Sequence, residues 1–140
     1  MSRDQDRVQR IHSGGPWETA LGYSRAIRVG DRVLVSGTTA ARDADEPVPA
    51  DPAEQARRVF ETIRTALEHA GAQLEDTIRV RLFVVDLPTN GDAVLGVLNE
   101  TLRSVRPVIS TLGVAALVEP ELLLEVEVEA IVGAGDVFEG

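Results

Sequence analysis

The 140-residue chain has no cysteine and, on inspection, no lysine; all 14 of its basic residues are arginine. Without thiols there are no disulfide frameworks, thiolate nucleophiles or cysteine-bound zinc. Without lysine, covalent imine chemistry on the protein is excluded. Only His12 and His69 carry imidazoles, so a metal centre built on several histidines within one chain is not expected, and no metal is assigned. Aromatic residues make up 4% of the chain, with Trp17 and Tyr23 the sole examples of their kinds. No run approaches the length of a membrane span, and the polar stretch Met1 to Arg10 lacks the apolar centre of a signal peptide. A cytoplasmic protein with no membrane partner is therefore expected.

Acidic residues outnumber basic ones by 23 to 14, a formal charge of −9, and no arginine run offers a face for phosphates. Nucleic acid is thus not an expected partner. The length suits one domain over residues 1–140, with residues 1–7 flexible, and a core that needs no staple.

Strand patterning begins near Val8 and is broken by Gly14-Gly15-Pro16. The runs Tyr23 to Val29 and Arg32 to Ser36, separated by Gly30-Asp31, predict a hairpin, and Arg42 to Ala50 predicts a solvated loop. At Asp51-Pro52-Ala53-Glu54 a cap, a proline and an acidic residue predict a helix start with a capping box. Ala56, Val59, Phe60, Ile63, Ala66, Leu67 and Ala70 then form a helical stripe that Gly71 ends. Ile78 to Leu87 predicts a strand, Pro88 to Gly91 a break, and Asp92 to Val105 a second helix stopped at Arg106-Pro107. Val108 to Val114 and Leu122 to Val132 predict the last strands. The sum is an α+β fold with one sheet and two helices on one face; the other face is bare, which predicts association between copies.

The final strand alternates strictly. Leu124, Val126, Val128 and Ala130 point one way, and Glu125, Glu127 and Glu129 the other. Such a carboxylate stripe is ordinarily a wet outer face. Arg79 and Arg81 alternate at the same period, however, and would supply opposite charge if the two strands share a sheet. A partly buried carboxylate beside arginine can act as a general acid or base. Ser36-Gly37-Thr38-Thr39 at a strand end is either an anion-binding turn or a glycine bulge. His69, late in its helix, suits the dipole or solvent, and Trp17 suits the core.

The run from Gly22-Tyr23-Ser24-Arg25 to Val35-Ser36-Gly37, together with Glu125-Val126-Glu127-Val128-Glu129-Ala130-Ile131, resembles the two terminal signatures of the RidA family, also called YjgF or reactive intermediate deaminase. The resemblance extends over Ser13 to Val132, through the helix start at Gln55 and the strand end Phe83 to Leu87. It implies a chorismate-mutase-like α+β fold with one mixed sheet. It further implies a homotrimer whose open sheet faces meet, leaving clefts between subunits. Active members hydrolyse enamines and imines to 2-keto acids and ammonia without a cofactor. By the same resemblance Glu127 is the catalytic acid/base, and Tyr23, Ser36, Gly37, Ile109 and Thr111 line the substrate site.

Ile109 stands where deaminases carry the arginine that binds the substrate carboxylate, and Leu95 where many carry an amide. Losing one partner of a desolvated charge pair costs about 2–5 kcal/mol, so the substrate of this branch is expected to differ. Arg106 would replace that arginine only through an irregular backbone. The resemblance therefore implies a cofactor-free small-molecule enzyme acting on an imine, enamine or related carbonyl compound. Its alternatives are a metabolite-binding or interaction trimer without catalysis and, more weakly, an endoribonuclease.

Overall fold

The computed structural model describes residues 7–41 and 46–136; residues 1–6 of the expected flexible tail and 42–45 of the expected loop lie outside them. The chain runs β1 (Val8–Ile11), α1 (Pro16–Leu21), β2 (Ala26–Val29), β3 (Arg32–Thr38), α2 (Pro52–His69), β4 (Thr77–Val85), α3 (Leu87–Leu102), β5 (Val108–Val114) and β6 (Leu124–Ile131). The six strands form one sheet in the order β1-β2-β3-β6-β4-β5. All neighbours are antiparallel except β4 and β5, so the sheet is mixed and the fold α+β, as the alternation of strand and helix patterns predicts.

The expected hairpin forms, with Val29 opposite Arg32 across its turn. The two long helices pack on one side of the sheet over Val33, Val35, Val80, Leu82, Val126 and Val128, all buried. Every residue of the predicted α2 stripe is buried. On the opposite side Leu34 is 47% exposed and the arginines of β4 stand in the open. Arg79 pairs with Glu129 and Arg81 with Glu127, so the two charged stripes do share a sheet.

Four expectations need correction. A third helix, α1, occupies the segment where Gly14-Gly15-Pro16 suggests only a break; Pro16 sits in its first turn, where no N–H is required. For the same reason Pro88 opens α3 at Leu87 instead of delaying it to Asp92, and the helix closes at Leu102, before the expected Val105. Asp51 occupies the N-cap of α2 but its side chain makes no capping bond, and Glu54 pairs with Arg57. Gln55 anchors the helix start in another way. Wholly buried, its amide donates to the carbonyls of Pro49 and Glu121 at 2.7 and 2.9 Å and accepts from the Leu123 N–H at 2.9 Å. It thereby ties the start of α2 to the entry of β6. Finally, Trp17 is 37% exposed on α1, not part of the core.

Gly71 follows α2 with a left-handed φ of 83°, as its helix-ending role requires. Just past α2, Arg28 Nη1 donates to the Ala70 carbonyl at 2.8 Å, which places a cation at the negative end of the helix. His69 is exposed there, and its carbonyl accepts from Gln9 Nε2. Among the described residues no helix is long and apolar enough to cross a membrane.

Candidate functional site

The glutamates of β6 are positioned by strand pairing alone, since Leu124, Val126, Val128 and Ala130 are anchored in the core and period two turns the intervening residues outward. Their surroundings are nonetheless different. Glu129 is taken by Arg32, with Nη2 and Oε2 2.7 Å apart. Glu127, half-buried, has no ion-pair partner among the described residues. It lines a depression of about 480 Å³ on the open sheet face, together with Tyr23, Ser36, Arg10, Arg79 and Arg81. The three arginines that line this depression can hold an incoming anion.

Glu125 lies on the other side of Tyr23 and Ser36, in a larger cavity of about 690 Å³ shared with His12, Trp17, Arg25 and Gly37. Burial pushes its carboxyl above the ordinary glutamate range, and the charge of Glu127 adds to the rise, while Arg25 opposes it. Gly37 leaves room for the Glu125 carboxyl: a Cβ at this position would fall 2.8 Å from its carboxyl carbon, and the glutamate side chain would have to move. The approach is made possible by a bulge, because Val35 pairs with Val128 and Thr38 with Val126, leaving both Ser36 and Gly37 between one pair of rungs. The Ser36 hydroxyl donates to the Ser24 carbonyl at 2.7 Å. The bulge and the hydroxyl-bearing strand end are thus the same feature.

Tyr23, Ser36 and Gly37 therefore converge, with Glu127 on one side of them and Glu125 on the other. Ile109 and Thr111 do not join them within one chain. They pair in parallel with Val80 and Leu82, which turns them toward the helix-covered side, opposite to Glu127. Ile109 is 47% exposed because β5 is an edge strand. Leu95 is likewise exposed, on α3. Arg106 adopts a left-handed φ of 57°, so its backbone is irregular, but it lines neither depression.

Two site features escape the sequence reading. Arg25 is only 8% exposed, yet lines the larger cavity, and its guanidinium lies 5.7 Å from the centre of the Tyr23 ring. The signal available was its spacing: in an extended chain, residue 25 falls on the same side as residue 23. The other is a small cluster at the rim, where buried Glu18 accepts from the Ser13 N–H and hydroxyl and stands 3.8 Å from His12 Nδ1. Among the described residues no group of three or more histidines and carboxylates is arranged to hold a metal.

The profile of the family described as Endoribonuclease L-PSP matches residues 16–132. A Streptomyces coelicolor protein named only as uncharacterized is 39% identical over 131 residues, covering 94% of this chain and 97% of that one. The 2-iminobutanoate/2-iminopropanoate deaminase of Escherichia coli is 32% identical over 69 residues, 49% of this chain and 54% of the enzyme. Among solved structures, a Mycobacterium tuberculosis member of the YjgF/YER057c/UK114 family superposes with a TM-score of 0.81 at 39% identity, over 90% of this chain and all of that one.

Proposed function

Because the chain belongs to the Endoribonuclease L-PSP family, the group that includes YjgF and RidA, we propose that it is a cofactor-free enzyme that hydrolyses a small imine or enamine, or transforms a related carbonyl compound, in a cleft between the subunits of a cytoplasmic homotrimer. The observation that carries this reading is Glu127, an outward carboxylate without an ion-pair partner among the described residues, in a concave site with Tyr23 and Ser36 on the face the helices leave open. In the proposed reaction an enamine first tautomerises to its imine. Water then adds to the C=N carbon as Glu127 accepts its proton; the same group returns the proton to the nitrogen, and collapse to C=O releases ammonia. Tyr23 and Ser36 form one wall, whereas Gly37 lines the larger cavity beside it. Ile109 and Thr111 lie on the wrong side of their own sheet for this site, so a neighbouring subunit would present them, and Ile109 would face an uncharged part of the substrate.

The test is incubation with 2-aminoacrylate generated in situ, followed by 2-iminobutanoate and bulkier imines. Pyruvate or the matching keto acid should form faster than in buffer; no acceleration for any of them overturns the reading. Light scattering should return three times the 15.1 kDa chain mass, and a stable protomer would remove the cleft.

Ile109 favours one alternative, a trimer that binds a metabolite without turning it over, which saturable binding without product would establish. The ribonuclease implied by the family's label receives no support from a charge of −9.

A further inference from the structure

Arg25 is a buried cation that no carboxylate contacts at ion-pair distance among the described residues, although the Glu125 carboxyl acts on it from farther off. Its residue is 8% exposed, its guanidinium makes a single hydrogen bond, from Nη2 to the Gly37 carbonyl at 2.6 Å, and no carboxylate pairs with it among the described residues. Its Nε is buried with no hydrogen-bond partner among the described residues. A guanidinium held out of water in this way is costly unless an anion joins it. The rest of the cavity supplies what the body of such an anion would need. Trp17 and Leu21 of α1, Tyr23, Ile11 and Val118 give it apolar walls. Its volume of about 690 Å³ suits a small organic molecule.

We propose that this cavity, on the opposite side of Tyr23 and Ser36 from Glu127, is a binding site for a small organic carboxylate with an aromatic or branched apolar body. The carboxylate lies on the Arg25 guanidinium, and Trp17 flanks the apolar part. Three acidic residues also line the cavity. Glu18 is already satisfied by Ser13 and lies beside His12, and Glu61 stands on the exposed α2 wall. Glu125 is the one that acts on the guanidinium, and burial raises its pKa, so it opposes an incoming carboxylate less than an ordinary glutamate would, least of all at acidic pH. The site is independent of the hydrolysis proposed for Glu127.

Trp17 is the only tryptophan, so its fluorescence reports on this cavity alone. The experiment titrates the full chain with phenylacetate and, separately, with its uncharged isostere phenylacetamide. Phenylacetate is expected to produce a saturable change, with the amide weaker by about tenfold or more, the loss expected when a charge-assisted contact is removed. Arg25→Gln should weaken phenylacetate binding to the level of the amide, and Glu127→Gln should leave it unchanged even if it abolishes turnover. Absence of saturation with phenylacetate, or equal responses to acid and amide, overturns the proposal. That comparison is made on the unaltered protein, so it holds even if Arg25→Gln fails to fold.

Discussion

Arg81 of β4 stands directly opposite Glu127 of β6, yet the two form no ion pair. Arg32 engages Glu129 instead, and burial raises the pKa of Glu125, so three glutamates at identical strand spacing end in three different electrostatic states. Glu127 is the one left without an ion pair in the depression on the open face. Glu127→Gln is therefore expected to lower the turnover of 2-aminoacrylate by about 10²-fold or more, the usual contribution of a general acid/base. The melting temperature should stay close to that of the parent, because no folded-state ion pair is lost. Undiminished turnover would remove the assigned role.

Gly37 and Glu125 are coupled by contact. An added Cβ would lie 2.8 Å from the Glu125 carboxyl carbon and 3.2 Å from its Cγ, so the glutamate must swing away. Gly37→Ala should cost about 0.5–1.5 kcal/mol in urea unfolding, the cost of forcing one side chain from its preferred rotamer. The double variant Gly37→Ala/Glu125→Ala should recover most of that loss, giving an interaction energy that independent sites would not show.

What the sequence discloses and what it conceals follow from one distinction. Strand periodicity is local, and it correctly separates Val126 and Val128 from Glu125 and Glu127, and matches Arg79 and Arg81 to the glutamate side. The differences among the glutamates are set by residues far along the chain, Arg25, Arg32 and the Ser36-Gly37 bulge, and no spacing reveals those encounters. Helix α1 hides for another reason. Its buried residue is Glu18, whereas Trp17 and Leu21 are exposed, so it presents no apolar stripe to read. Ile109 is legible as a substitution, but its side of the sheet depends on β5 pairing in parallel with β4.

Gln55 is the most demanding polar group of the core. It is wholly buried, and its three hydrogen bonds engage two backbone carbonyls and one N–H. Gln55→Ala should destabilise the protein by about 2–4 kcal/mol in urea unfolding, since it strands those groups as well as opening space. Gln55→Glu should be worse near neutral pH, because it removes the donating NH₂ and places a carboxylate against the carbonyls of Pro49 and Glu121. A loss below that of an ordinary surface substitution would show that the amide does not tie α2 to β6.

Glu125 gives the fold a pH dependence whose sign is fixed by its environment. Burial and the charge of Glu127 raise its folded-state pKa, so the folded chain holds this proton more tightly than the unfolded chain does. Stability from this group is then present at acidic pH and is lost as pH rises from the ordinary glutamate range through the raised folded value. Glu125→Gln, which cannot ionise, escapes that loss. At neutral pH the variant should melt about 1–2 °C above the parent, a modest gain because the half-exposed carboxyl remains partly hydrated. Well below the ordinary glutamate range, near pH 3, the difference should vanish, as the parent carboxyl is then protonated in both states. Calorimetric scans of the two proteins across that interval measure the effect directly, and a variant less stable than the parent at neutral pH would mean that Arg25 outweighs burial in setting this group's charge.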